Sequence, residues 1–327
     1  MKDLLNALLE QDMARANGYL AGYPGLAGKL TVERTNHPRP VHSAPVWRIE
    51  RDGTSRFRFH VTSWQTVPVL IFFRWVTMLP LIASIIAVGK PGRCWFSLGD
   101  EAHRPGLAFC ANTPDAVPVP DPYFMESLGY IGLRDHYAAN GLRWEQRAAV
   151  AFWRGTTTGP YGSSLDALPR VIMSRLARSM GDRADVGLSN VTEGYQDMIP
   201  LLSDEGILKD HVPIQRFDQY QVHIDIDGHS NSWPGLLSKL HSGGAILKVE
   251  SQQGFRQWYY DRLEPGIHYL PVRSDLSDLI EKAEFLLNNP HIAEKIGRAG
   301  QDLARQMTVE AEIAKITPIA VAAFEPI

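Results

Sequence analysis

A chain of 327 residues with 44% hydrophobic and 21% charged content has the make-up of ordinary globular protein and the length for two domains of roughly 150 residues each. The formal charge of −3 hides no block of one sign, which excludes the basic footprint of a nucleic-acid binder. Two cysteines, Cys94 and Cys110, lack Cys-x-x-Cys spacing and cannot hold a metal alone; they suit buried thiols in a reduced, intracellular protein.

Residues 1–20 read as a helix, with Leu4, Leu5, Leu8, Leu9 and Met13 at helical spacing. Lys2-Asp3 and the acids that follow do not form the charged-then-apolar pattern of a secretion signal. A Gly- and Pro-rich connection leads to a strand at Arg56–Val61. The run from Val67 to Val88 has about the length of a bilayer span. Arg74 inside it would cost roughly 2.5 to 3.5 kcal/mol on insertion scales, and Pro80 interrupts it, so a buried helix is expected, with a membrane-surface helix as the alternative. A strand at Arg93–Leu98 ends at Gly99-Asp100 and completes a β-α-β unit. Five prolines between Arg104 and Tyr123 predict an irregular loop or short edge strands.

A helix from about Asn140 precedes the strand Ala148–Trp153, and the second domain is placed here, giving domains 1–145 and 146–327. A helix near Leu168–Met180 follows, then short strands near Val186 and Val212, and a strand Gln221–Ile226. The helix Trp233–Leu240 leads into the strand Ala245–Val249. Helices at Leu276–Leu287, behind the acidic cap Ser274-Asp275, and from Pro290 to about Arg305 close the pattern. Alternating strands and helices specify a parallel sheet with helices on both faces, and such sheets bind ligands at the carboxyl ends of their strands.

Three constellations carry chemistry. Gly99 presents Asp100 at a strand end, where a carboxylate can act as a base or simply cap a turn. Arg154-Gly155-Thr156-Thr157-Thr158-Gly159 follows a strand with a cation and a Gly/Thr loop that can cradle phosphates, although it lacks the Walker spacing. The densest stretch is Asp225-Ile226-Asp227-Gly228-His229-Ser230-Asn231-Ser232-Trp233, followed by Lys239-Leu240-His241-Ser242-Gly243-Gly244 and Lys248. Small and polar residues ahead of a helix form a plausible anion nest. Asp225 and Asp227 suggest an Asp-x-Asp metal pair, but no third carboxylate lies nearby, and structural carboxylates are the plainer reading. The cluster Trp258-Tyr259-Tyr260 fits core packing better than a sugar platform. No His-x-x-x-His, Gly-x-Ser-x-Gly or Gly-x-Gly-x-x-Gly motif supports a zinc hydrolase, an α/β-hydrolase or a nicotinamide dehydrogenase.

In order, FSLGDE at 96–101, VPVPDPYFMES at 117–127, AFWRGTTTG at 151–159, QVHIDIDGHSNSWPGLLSKLHSGGAILKV at 221–249, WYYDRLEPGIHYLPV at 258–272 and SDLSDLIEKAEFLLNN at 274–289 resemble glycosyltransferase family 90, the capsule-associated and lipopolysaccharide-modifying enzymes related to Rumi-type protein O-glucosyltransferases. The resemblance implies a GT-B fold, two Rossmann-like domains facing across a cleft, with the last helix crossing back to the N-terminal domain. It implies inversion at the anomeric carbon and a UDP-hexose or UDP-pentose donor bound by the C-terminal domain. Asp100 matches the family's base. Arg154, Gly155 and Thr156 match the donor-contacting loop; Asp227, Gly228, His229, Ser230, Asn231 and Ser232 with Ser242, Gly243 and Lys248 match the donor signature.

Positive groups then stabilise the leaving diphosphate, so no metal cofactor is required, although a divalent ion stays open. The chain departs from the animal members where they carry an Arg in a Tyr-Arg-Phe context, having Trp233-Pro234-Gly235; Arg170 and Arg256 are candidates to replace that cation. The expected partners are a nucleotide-sugar donor and a glycan or glycolipid acceptor, in the cytoplasm or at the inner face of the membrane through peripheral association, with no nucleic acid. Transfer to protein Ser or Thr, and sugar-nucleotide binding without catalysis, are the alternatives.

Overall fold

The computed structural model describes residues 25–35, 46–50, 52–60, 74–102 and 105–327. The helix expected over 1–20, and the first part of the apolar run, lie outside these residues. The chain has the expected α/β composition and forms two compact units, one comprising Met1–Leu128 with Thr308–Ile327 and the other Gly129–Met307.

The first unit is built on a six-stranded sheet. Its strands are β1 (Leu30–Thr35), β2 (Val46–Ile49), β3 (Ser55–His60), β4 (Gly92–Ser97), β5 (Gly106–Ala108) and β6 (Ala116–Pro118), in the order β1-β3-β2-β4-β5-β6. β2 runs antiparallel to both β3 and β4, and the other pairs are parallel. The β-α-β unit read from the sequence therefore connects parallel strands that are not neighbours. Four residues of β2 separate them, too few to show a periodicity of their own. The proline-rich stretch does form short strands at the sheet's edge.

Helix α1 (Leu79–Val88) starts where the sequence puts Pro80, whose missing N–H costs nothing in a first turn, and ends at Gly89 with φ 70°. Leu79, Leu81, Ile82, Ile85 and Ile86 are buried, which resolves the apolar run over these residues as core. No helix among the described residues is long and apolar enough to cross a membrane. Phe57 packs on Trp47 and Trp75 with ring centroids 6.0 and 5.5 Å apart, and Phe324 meets Trp47 edge-on at 5.2 Å. A short helix α2 (Pro122–Glu126) ends the segment before Leu128.

The second unit begins with α3 (Ile131–Asn140), which ends rather than starts at Asn140, where Gly141 leaves the helical region. α3 packs against α6 (Trp233–Ser242), so the units divide at Leu128/Gly129 and not at 145/146. The five-stranded sheet, all parallel, has the order β11-β10-β9-β7-β8: β7 (Ala148–Thr156), β8 (Ala184–Asn190), β9 (Tyr220–Asp225), β10 (Ala245–Val249) and β11 (Leu270–Val272). Helix α4 (Pro169–Ala177) packs on β8, and the short α5 (Ile199–Asp204) follows that strand in the chain. Val212 lies in a coil ahead of a 3-10 turn, not in a strand.

On one sheet face Ala151, Trp153, Val222, Ile224, Ala245 and Leu247 join α4 and α7 (Leu279–Asn288) in a single apolar core. α7 starts three residues later than expected: Leu276 takes a positive φ of 63°, and Asp275 instead accepts the Ser277 N–H. α6 and α8 (Pro290–Arg305) pack together, and Gly297 is needed there because a Cβ would stand 2.3 Å from the Gly243 carbonyl. The last helix, α9 (Val309–Ala322), is capped by Thr308 and packs on α1 in the first unit.

Candidate functional site

β9 alternates its side chains between faces, so His223 and Asp225 point toward α6 while Val222 and Ile224 enter the apolar core. Asp225 lies directly across from Lys248 of β10. It is fully buried, and its Oδ1 accepts from Lys239 Nζ at 2.8 Å and from Ser232 Oγ at 2.6 Å; its Oδ2 faces Lys248 Nζ at 3.4 Å. Burial alone would raise this carboxyl, but Lys239 and Lys248 beside it, with the bonds from Lys239 and Ser232, hold it well below the usual carboxylate range. Both oxygens of this carboxylate thus already face an ammonium group.

Beyond the end of β9 the chain turns through Asp227 to Ser232. Asp227 accepts from Asn231 Nδ2 at 3.2 Å, and its other oxygen is buried without a bond of ordinary geometry. Burial chiefly, and Asp225 further, raise the Asp227 carboxyl against the lowering effect of Lys248, Ser251 and Asn231. Asn231 also donates to the Phe255 carbonyl at 3.0 Å, and its own Oδ1 is buried with no partner among the described residues. His229 Nδ1 meets the Gly159 carbonyl at 2.7 Å, the tautomer with Nδ1–H, and its ring stacks on Tyr161 at 4.3 Å. Trp233 Nε1 donates to Ser230 Oγ at 3.2 Å.

Arg170, in the first turn of α4, caps the ends of two strands. Its Nε donates to the Asp227 carbonyl at 2.9 Å, Nη2 to the Ile226 carbonyl at 3.2 Å, and Nη1 to Thr158 Oγ1 at 2.6 Å and the Thr156 carbonyl at 3.3 Å. Burial lowers it to about 10, with Asp227 and Asp225 opposing, and it stays charged at neutral pH. Gly228 must lack a side chain, because a Cβ there would stand 2.8 Å from Thr158 Oγ1 and 3.1 Å from Arg170 Nη2. A shallow, open cleft borders Asp227, Gly228, Pro160, Pro169 and the segment Glu250–Gln253.

The structure thus brings together Thr156, Arg170, Asp227, Gly228, His229, Ser230, Asn231, Ser232 and Lys248 at the carboxyl ends of β7, β9 and β10. It does not bring Ser242 and Gly243 there. They end α6, about 15 Å from its start at a rise of about 1.5 Å per residue. Ser242 is buried against His223 Nε2 at 3.1 Å, and Gly243 takes a φ of 74° as the helix cap. Arg154 is likewise turned away, with Nη2 on Asp185 Oδ1 at 2.6 Å and Nε on the Asp210 carbonyl at 2.9 Å. Gly155 serves Trp153, whose ring would meet a Cβ at 2.5 Å. Arg256 is exposed and paired with Asp261.

In the first unit, Asp100 accepts from Arg74 Nη2 at 2.9 Å, and its side chain is 30% exposed. Sequence reasoning placed Lys239 in the densest constellation but gave it no part in the donor site. Its signal was spacing: Ser232, Gly235 and Lys239 fall on one face of α6, where a lysine among buried apolar residues needs an anion.

The family model described as Glycosyl transferase family 90 matches residues 133–314. Protein O-glucosyltransferase 2 of Danio rerio is 30% identical over 179 residues, covering 55% of this chain and 32% of that protein. Uncharacterized protein 035R of Invertebrate iridescent virus 3 is 31% identical over 152 residues, 45% of this chain and 14% of that protein. The chain therefore spans a third or less of the length of these relatives. Among solved structures, Anabaena HepE in complex with UDP-glucose aligns with a TM-score of 0.38 at 12% identity, over 60% of this chain and 53% of that one.

Proposed function

The chain belongs to glycosyl transferase family 90, and from that membership we propose that it is an inverting glycosyltransferase that moves a sugar from a UDP-sugar to a hydroxyl of a glycan or glycolipid. The reading gives it a GT-B plan, with Gly129–Met307 as the donor unit and the unit of Asp100 on the acceptor side. In the proposed reaction the acceptor oxygen forms a bond to the anomeric carbon as the bond from that carbon to the diphosphate oxygen breaks. The diphosphate leaves with the electron pair, and the acceptor proton passes to the Asp100 carboxylate.

One observation carries the reading. Asp227 and Gly228, which open the turn after β9, border a cleft at the carboxyl edge of a parallel sheet, with Lys248 paired to Asp225 on the neighbouring strand and the Asp227 and Ile226 carbonyls already satisfied by Arg170. The buried cysteines Cys94 and Cys110 fit a reducing, cytoplasmic setting. A second reading, transfer to protein Ser or Thr, is favoured by the name of the fish relative.

Incubation of the protein with radiolabelled UDP-glucose or UDP-xylose and either deacylated lipopolysaccharide or a panel of Ser- and Thr-containing domains separates the two. Label on the glycan supports the first reading and label on protein the second. Nucleotide binding with no transfer to either class would leave a non-catalytic binder.

A further inference from the structure

The buried charge at the carboxyl edge of the second sheet does not balance. Arg170, Lys239 and Lys248, 8%, 4% and 9% exposed, stand with two carboxylates, the fully buried Asp225 and the half-buried Asp227. Arg170 has no carboxylate within ion-pair distance among the described residues and spends its donors on carbonyls and Thr158. Two ammonium groups thus share the one carboxylate of Asp225, and the three cations exceed the two carboxylates by one charge. An uncompensated buried cation is costly unless an anion arrives to meet it.

The two lysines are held unequally. Lys239 is 2.8 Å from Asp225 with a side chain 5% exposed. Lys248 is 3.4 Å from Asp225 with a side chain 11% exposed, and its remaining contacts are the Tyr260 hydroxyl at 3.4 Å and the face of that ring at 4.4 Å. A ring face and a long ion pair are contacts that a phosphate oxygen can replace.

We propose that Lys239 is a positioning residue for anion binding: by neutralising Asp225 it releases the Lys248 ammonium to take the phosphate oxygens of a nucleoside diphosphate. The proposal deepens the glycosyltransferase reading and rests on it for the identity of the ligand. Its charge logic is independent, because removing Lys239 hands Lys248 to Asp225, whereas removing both Lys239 and Asp225 frees Lys248 again.

The test is calorimetric titration of the full chain with UDP, uridine and inorganic pyrophosphate. Lys239→Met should weaken UDP and pyrophosphate by about tenfold or more, the worth of a charge-assisted contact, and leave uridine within about twofold. Asp225→Asn/Lys239→Met should recover pyrophosphate binding to within about threefold of the unmodified protein, and Asp225→Asn alone should bind it more tightly. Pyrophosphate binding untouched by Lys239→Met, equal losses for UDP and uridine, or no recovery in the double variant would each overturn the proposal. Should Lys239→Met fail to fold, Asp225→Asn decides, and unchanged or weaker pyrophosphate binding overturns it. A protein that shows this pyrophosphate pattern yet binds no UDP-sugar sinks the glycosyltransferase reading and keeps the anion site. One that takes no pyrophosphate sinks the anion site, whatever its transfer activity.

Discussion

Arg74 holds Asp100 through Nη2 at 2.9 Å while Nη1 of the same guanidinium donates to the Leu98 carbonyl, also at 2.9 Å. The arginine that makes the apolar run unfit for a membrane is thus the group that orients the candidate base. Asp100→Asn keeps an oxygen for Arg74 and loses the proton acceptor. It should leave folding and UDP-sugar affinity nearly unchanged and lower turnover by about 10² to 10⁴-fold. Normal transfer by this variant would remove Asp100 from the mechanism. Arg74→Met should cost about 1 to 3 kcal/mol in urea unfolding, less than a fully buried pair because the Asp100 carboxylate is partly in solvent.

Arg170 tests whether the ends of β7 and β9 depend on one side chain. Arg170→Lys keeps the charge but offers a compact ammonium where a planar fork reaches four acceptors. We expect a loss of about 3 kcal/mol or more in unfolding free energy, together with faster hydrogen exchange through residues 226–232. Unchanged exchange there would mean that the turn holds itself.

His223 and His241 are each lowered from the ordinary 6.5 to about 3, by burial first and then by nearby cations: Lys239 and Arg147 for His223, Arg134 and Arg305 for His241. In both, the folded state refuses a proton that the unfolded chain accepts below 6.5. Stability is therefore complete above 6.5 and falls as pH drops toward 3, by about 1.4 kcal/mol per pH unit for each histidine. Both ring nitrogens of His241 are buried with no hydrogen-bond partner among the described residues, and the ring lies 5.7 Å from that of Tyr130. His241→Phe should be neutral or stabilising at pH 7 and remove one histidine's share of the slope between pH 6.5 and 5. Urea titrations at those pH values decide it, and an unaltered slope would contradict the assignment.

Ser242, Gly243 and Gly244 should behave as packing residues. A Cβ on Gly244 would stand 2.3 Å from the His223 ring, so Gly244→Ala should destabilise by about 1 to 3 kcal/mol. UDP affinity of the folded fraction should not change. A weakened affinity without a stability loss would return this motif to the ligand.

Most strands of the second sheet were legible because apolar runs such as QVHIDI and AILKV stand between Gly, Asp and Ser punctuation. β2 was not, since four residues show no period, and Val212 misled because one β-branched residue in a coil resembles the start of a strand. The candidate site was half legible. The turn from Asp227 to Ser232 and Lys248 meet at one sheet edge, as expected of strand ends. Ser242-Gly243 read as part of the same motif, yet a ten-residue helix carries them to the opposite end.

The sequence by itself determined the α/β class, the parallel second sheet, the edge where ligands are expected, and the family, because local periodicity and ordered motifs are properties of the chain alone. Only the tertiary structure decided which charges meet. Arg154 is captured by Asp185 and Arg74 by Asp100, while Lys239 and Lys248 converge on Asp225 from a helix and a neighbouring strand. Ion pairing depends on distance through space, and those partners lie from 14 to 31 residues apart along the chain.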